Sequence, residues 1–370
     1  MNRFYRHSSL VVLFLSLLFA ACGTSATTSI IAANGTVKAT RTSIPPTPVT
    51  CTNVPTGSGC TAGMGLATAI VYTEPEAGDL PIVNAIAGAK SSVWVEVYLL
   101  TERNVINALE KAASQGIDVR VMLEGHPYGG GSVSPQETIS TLKAAGVKAQ
   151  EASPAFALTH TKMMLVDATT AYISTANYTL SALGGSSTTA NREFIVQDTD
   201  STDVAECNAI FTADWQRVSP TLSDPHLVIS PVNSRVRILA LVNSATKSLH
   251  VEEEEMQDVP LIQALIAAQK RGVTVQIAVP KPTPGSNDSL GEQELQQAGV
   301  TIVQIQDDSS HHYIHAKDII ADSTIAYVGS VNASAPSMDK NREVGVLLAD
   351  SQAIQTLETA FQDDFTSVKK

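Results

Sequence analysis

The sequence predicts an α/β fold of two similar halves, each a mixed sheet flanked by helices, packed about a pseudo-two-fold axis with one shared active site. Three observations carry that prediction. Strand and helix patterns alternate along the chain, the alternation runs through the same order twice, and a set of polar residues recurs at matching spacing in both passages. In the first passage Val93-Trp94-Val95-Glu96 reads as a strand. An amphipathic helix follows (Val105, Ile106, Leu109, Ala112, Ala113), then Gly116 and the strand Val119-Arg120-Val121-Met122-Leu123. In the second, Leu249-His250-Val251-Glu252 is followed by a similar helix (Leu261, Ile262, Leu265, Ile266, Ala268), then Gly272 and Val273-Thr274-Val275-Gln276-Ile277. A further helix from Ile139 to Ala145 ends at Gly146, and its counterpart from Leu290 to Ala298 ends at Gly299. Glycine at each helix end supplies the left-handed residue that closes the last turn.

From the amino terminus, Arg3 and Arg6 precede an apolar run from Leu10 to Ala21 that meets Cys22 in Leu18-Phe19-Ala20-Ala21-Cys22. Residues 1–21 therefore read as a signal peptide that resembles a bacterial lipoprotein signal, with the Cys22 thiol carrying the lipid. The expected location is the extracytoplasmic face of the cell membrane, held by that lipid anchor. An ordinary secretory signal or short anchor is the alternative, and each version exports the protein. Residues 22–65, rich in Thr, Ser, Ala, Pro and Gly, read as a flexible tether. Export permits a disulfide between Cys51 and Cys60, which flank a loop containing Pro and Gly. Residues 66–220 and 221–370 are the two expected halves, joined near Pro220 to Pro231. Cys207 lies in an apolar helical pattern (Val204, Ala205, Ile210, Phe211) and reads as a small buried hydrophobe.

The chain has 370 residues, is 44% hydrophobic and carries a formal charge of -12. That length supports two full cores, and the acidic balance, with no basic patch, disfavours a non-specific nucleic-acid binder.

The repeated polar residues carry the chemistry. His160-Thr161-Lys162 leads to Asp167 and then Asn177, and His315-Ala316-Lys317 leads to Asp322 and then Asn332, at a constant offset of 155 from the first copy to the second. Each unit closes on Asn-Arg-Glu, as Asn191-Arg192-Glu193 and Asn341-Arg342-Glu343. Two H-x-K-x4-D motifs so arranged resemble the phospholipase D superfamily over residues 66–370. The Gly-Ser-x-Asn of that family is intact as Gly329-Ser330-Val331-Asn332. The first copy reads Ser174-Thr175-Ala176-Asn177, which keeps a hydroxyl at Thr175 but replaces a glycine by Ser174.

His and Lys two apart on a strand share a face, so two copies across a dyad bring two imidazoles and two ammonium groups together. Lys162 and Lys317 can neutralise a phosphodiester in its five-coordinate transition state, with Asn177 and Asn332 donating to its non-bridging oxygens. One imidazole attacks phosphorus while the other protonates the leaving alcohol, and the roles then reverse. Glu193 and Glu343 would each hold the far nitrogen of a histidine. The resemblance implies that His160 is the nucleophile and His315 the acid, and that Asp167 and Asp322 are structural, bonding backbone near the site; the residues alone do not distinguish the two histidines. No metal or cofactor is needed, and Lys317 argues against a metal cluster of His311, His312 and His315.

Two further features are read from position. The acidic run Glu252 to Glu255 at a strand end is expected to be a solvated edge, with recognition of a cationic head group as the alternative. His126-Pro127-Tyr128-Gly129-Gly130-Gly131 is expected to be an ordinary connector, or else a lip of the substrate cleft. The leading functional expectation is a lipid-anchored, monomeric phospholipase D that hydrolyses a phospholipid or transfers its phosphatidyl group to an alcohol. An exported nuclease stands second. A cardiolipin-synthase-like transferase stands third, because membrane-spanning helices ahead of the catalytic region are usual in that family and none is read here. A non-catalytic binding module is disfavoured by the intact motifs.

Overall fold

Alternate side chains of the central strands are apolar on both faces, so each sheet must be covered twice. The computed structural model describes residues 65–368 apart from 129–133, 185–189 and 309–310, so Cys22, Cys51, Cys60, the glycines 129–131 and the tether up to residue 64 lie outside the described residues. The first half runs β1 (Ala69–Glu74), α1 (Leu80–Gly88), β2 (Ser92–Val97), α2 (Arg103–Ser114), β3 (Asp118–Leu123), α3 (Pro135–Ala144), β4 (Lys148–Glu151), β5 (Lys162–Val166), β6 (Thr170–Ser174), β7 (Asn191–Asp198) and α4 (Ser201–Gln216). The second runs β8 (Leu227–Ser230), α5 (Ser234–Ser244), β9 (Ser248–Glu253), α6 (Val259–Lys270), β10 (Thr274–Pro280), α7 (Asn287–Gln297), β11 (Thr301–Ile305), β12 (Tyr313–Ile314), β13 (Lys317–Ala321), β14 (Ile325–Gly329), α8 (Ala335–Asp339), β15 (Glu343–Leu348) and α9 (Ser351–Ser367).

Every strand and helix segment read from the sequence forms, and the two sheets repeat one order. The first is β1-β7-β6-β5-β2-β3-β4 and the second, from its matching edge, β8-β15-β14-β13-β9-β10-β11. Both are mixed, with β2, β3 and β4 parallel, as are β9, β10 and β11, and the other neighbours along each order antiparallel; β12, off this path, pairs parallel with β7. Gly116, Gly146, Gly272 and Gly299 have φ of 88°, 90°, 94° and 89°, the conformation that the helix ends require.

Alternation sorts most of the apolar side chains into three layers, with a smaller cluster of Ala278, Ile305, Ile314, Phe361 and Phe365 beside them. On β5, Met164 and Val166 join the helices of the first half, while Met163 and Leu165 turn to the opposite face. On β13, Ile319 and Ala321 join the helices of the second half, and Ile320 turns the other way. Met163, Leu165, Phe194 and Val196 thus share a middle core with Ile320, Val328, Val344 and Val346, where the two sheets meet. Cys207 is wholly buried in this layer.

Ionic contacts cross between the halves in the same symmetric way. Arg342, fully buried, reaches α4 with Nε 2.8 Å from Asp214, and Arg192 reaches α9 with Nε 2.5 Å from Asp364. The first described residues also cross, since Leu66 N donates to Leu347 O at 2.8 Å. Among the described residues no helix is long and apolar enough to cross a membrane.

Removing one member of a buried ion pair strands the other. Arg342→Ala leaves Asp214 without its guanidinium, and unfolding free energy in urea should drop by about 3–5 kcal/mol. A loss under about 1 kcal/mol would show that the pair does not hold the halves together.

Candidate active site

The two H-x-K segments enter their strands beside the Asn-Arg-Glu segment of the opposite half. His160 N donates to Arg342 O at 2.9 Å, and Arg342 N donates to Leu158 O at 2.8 Å. In the other direction β12 runs parallel to β7, pairing Tyr313 with Asn191, and His315 N donates to Arg192 O at 3.3 Å. This backbone exchange decides which glutamate meets which histidine. Nδ1 of His160 lies 2.9 Å from Oε2 of Glu343, and Nδ1 of His315 lies 2.7 Å from Oε1 of Glu193. Each predicted glutamate therefore holds the histidine of the other repeat. Asn191 and Asn341 steady their glutamates at 3.2 Å in both copies.

Lys162 and Lys317 are fully buried and each donates to the carbonyl of the histidine two residues before it. Burial pushes the Lys162 ammonium down to about 7, with the nearby charge of Lys317 adding to the effect. Burial also lowers His160, against the pull of Glu343, which favours its neutral imidazole. Burial would raise Glu343 and Glu193, but His160 and His315 respectively hold them below the ordinary carboxylate range. Asn177 and Asn332 are buried at the site, each with a side-chain oxygen that no donor among the described residues meets.

The hydroxyls expected to be equivalent are used differently. Thr175 Oγ1 donates to Glu193 at 2.6 Å, whereas Ser330 Oγ bonds Val344 and its carbonyl faces His160 Nδ1 at 3.3 Å. Ser337 of α8 takes over in the second copy, donating to Glu343 Oε1 at 2.6 Å. No spacing rule marks it, because among the described residues α8 has no counterpart between β6 and β7. Ser174 sits in ordinary strand geometry with its hydroxyl on Lys162 O and Ala176 O, so the missing glycine does not disturb the first copy. At Gly329 a Cβ would come 2.3 Å from the Cα of Gly345.

Asp167 and Asp322 bond backbone as expected, but not near the site. They lie at the far ends of β5 and β13, about 17 Å of strand away from the lysines. There Asp167 accepts from Lys90 N, Ser91 N and Ser92 N, and Asp322 from Thr246 N, Lys247 N and Ser248 N. Both stand at positive φ, 55° and 53°, in the turn that leaves the strand. They fasten the start of β2 and of β9.

The expected solvated edge at Glu252 to Glu255 is not one: Glu252 and Glu253 are buried, and Glu254 and Glu255 are only partly exposed. Strand β9 lies inside its sheet, so residues read as a strand end face the interior. Glu253 is paired with Lys317 and Val97 with Lys162, which makes Glu254 and Tyr98 equivalent positions next to the two H-x-K motifs. Tyr98 stands edge-on to the His160 ring at 4.8 Å between centroids and under Lys162 at 5.4 Å. Glu254 Oε2 lies 2.9 Å from Lys317 Nζ, 3.4 Å from His315 Nε2 and 3.4 Å from Asn332 Nδ2. Burial lowers Lys317 too, but Glu254 and Glu193 outweigh it and hold that ammonium above its ordinary value. Tyr128 N donates to Tyr98 OH at 2.6 Å, which ties the 126–128 segment to the site. His311 is paired with Asp308, and among the described residues the one group that could hold a metal ion is Asp203, Asp224 and His226, which includes none of His311, His312 and His315.

Two H-x-K strands sharing one cluster, each histidine buttressed across a pseudo-dyad, define an enzyme of the phospholipase D superfamily. The family described as cardiolipin synthase, PLD-like domain, matches residues 82–215 and 238–365, and the chain belongs to that family. A probable cardiolipin synthase of Bacillus subtilis is 25% identical over 343 residues, covering 78% of this chain, and Cardiolipin synthase 1 of Bacillus anthracis is 24% identical over 334 residues, covering 77%. The chain spans 64% of the length of each of these relatives. Among solved structures, phosphatidylserine synthase of Haemophilus influenzae superposes with a TM-score of 0.62 at 13% identity, covering 83% of this chain and 87% of that one. Polyphosphate kinase of Porphyromonas gingivalis gives 0.59 at 15% identity, covering 80% and 50%. These two share the fold.

The lowered Lys162 predicts a pH profile. The group carries charge below about 7 and loses it above, so kcat/KM for a phosphodiester should fall as pH rises through that value. Lys162→Arg keeps its charge, and this limb should move to higher pH. A limb unmoved in the arginine variant would remove Lys162 as its source.

Proposed function

We propose that the chain catalyses transfer of a phosphatidyl group between alcohols by double displacement, the chemistry of cardiolipin synthesis, with hydrolysis as the outcome when water is the acceptor. His160 Nε2 attacks phosphorus, and the bond to the leaving alcohol oxygen breaks as that oxygen takes a proton from His315. An acceptor hydroxyl then gives its proton to His315 and attacks the phosphohistidine, releasing His160. Lys162, Lys317, Asn177 and Asn332 meet the non-bridging oxygens where negative charge grows.

The observation that carries this reading is the exchanged pair of histidine and glutamate contacts, which engages Nδ1 of each imidazole and leaves Nε2 as the nitrogen for chemistry at phosphorus. The asymmetry beside them supports the division of labour: His315 faces a carboxylate at each nitrogen, as a proton donor does, while His160 has the neutral Tyr98 at the corresponding place. Similarity to cardiolipin synthases over three quarters of the chain favours transfer, so the ranking drawn from the sequence, with a phospholipase D that hydrolyses or transfers first and a cardiolipin-synthase-like transferase third, is revised. The substrate in this reading is a phospholipid, the protein acts as a monomer, and Cys22 anchors it by lipid to the extracytoplasmic membrane face.

With phosphatidylglycerol vesicles and excess EDTA, the full chain should release glycerol and form cardiolipin in excess over phosphatidic acid. Phosphatidic acid alone would make it a hydrolase, and failure to cleave any phosphodiester would overturn the reading. His160→Asn should abolish turnover, by about 10³-fold or more. His315→Asn should retain a burst with a nitrophenyl phosphodiester and leave a phosphoryl adduct on His160; an adduct on His315 in the His160 variant would reverse the two roles. Cys22→Ala should leave protein out of the membrane fraction, and unchanged fractionation would refute the anchor.

A further inference from the structure

We propose that Glu254 is a specificity-determining residue that fills the phosphoryl subsite of the resting enzyme, keeps free phosphate out of it, and is turned out by a phosphodiester held through the rest of its molecule. The inference deepens the proposed function and rests on it for the identity of that subsite.

Three donors converge on one carboxylate oxygen. Lys317 Nζ at 2.9 Å, His315 Nε2 at 3.4 Å and Asn332 Nδ2 at 3.4 Å all face Oε2 of Glu254, and Tyr313 OH approaches Oε1 at 3.4 Å. Lys317, Asn332 and His315 are the groups through which the second motif would meet a non-bridging oxygen and the leaving oxygen. An anionic oxygen at their meeting point stands where a phosphate oxygen would. The two cannot share the place, since like charges a few ångströms apart in a buried site repel strongly.

The arrangement is particular to one half. At the equivalent position Tyr98 offers Lys162 a neutral ring, so the fold does not require a carboxylate there. Glu254 also differs from the two glutamates before it: Glu252 and Glu253 are 0% and 2% exposed, while its own side chain keeps 21% exposure and so opens toward solvent. A ligand that binds only the state in which Glu254 has swung away sees its affinity reduced by the fraction of time the subsite is vacant. Inorganic phosphate has only these donors to offset that. A diester brings two substituents whose contacts elsewhere add to its binding.

The test is inorganic phosphate binding to the full chain by titration calorimetry below neutral pH, where Lys162 and Lys317 both carry charge, for wild type, Glu254→Gln and Glu254→Ala. The isosteric Gln guards against loss of fold, which the unfolding temperature of each variant monitors. Phosphate should bind both variants about tenfold or more tighter than wild type. KM for a short-chain phosphodiester should fall while kcat changes less, and Glu254→Asp should lie between wild type and Gln. Equal or weaker phosphate binding in the folded variants overturns the inference. His160→Asn separates the two readings, because it removes turnover and leaves Glu254 in place. If no form of the protein cleaves any phosphodiester yet the phosphate contrast persists, the proposed function fails and the role of Glu254 stands.

Discussion

The contact between each H-x-K histidine and the glutamate of the opposite half is the constraint on which the rest depends. A histidine that must be neutral at one nitrogen and fixed at the other needs a buried carboxylate, and a buried carboxylate needs a compensating cation. Crossing the halves meets the first need, and the charge of Lys317 beside Glu193 and of Lys162 beside Glu343 meets the second. The backbone of each Asn-Arg-Glu segment runs beside the other repeat's histidine, its glutamate takes the imidazole, and its arginine reaches the other repeat's last helix at Asp364 or Asp214. Neither half can complete a site alone, because the group that orients its histidine lies in its partner.

Within that symmetric frame the chemistry is made unequal by single residues. Tyr98 and Glu254 occupy equivalent places, and the difference of one negative charge separates the two lysines: Lys162 is pushed down to about 7 by burial, while Lys317 is held above its ordinary value. A duplicated site can in this way acquire distinct nucleophile and acid sides without altering either motif. Thr175 and Ser337 give a second example, since both support a glutamate from different positions in the chain.

Much of this was legible in the sequence. Alternating hydrophobic periods gave the strands and helices, the left-handed glycines gave the helix ends, and the constant spacing of His, Lys, Asn and Glu gave the membership of the site. Spacing works there because residues in one strand or turn keep a fixed geometric relation whatever surrounds them. Its limit appears at Asp167 and Asp322, five residues from the lysines in sequence and at the opposite strand ends in space.

What the tertiary structure alone decided is everything that depends on which strands become neighbours. The sequence named two glutamates and two histidines but could not pair them, since the crossing is set by the packing of β7 and β12 and of the Arg342 segment against the chain before His160. It showed four consecutive acids, which on an edge strand would be solvated. Only the insertion of β9 between β10 and β13 buries two of them and delivers Glu254 to Lys317. Local pattern is fixed by covalent spacing and side-chain type, whereas burial and charge pairing are fixed by contacts between distant segments, and those exist only once the sheets have assembled.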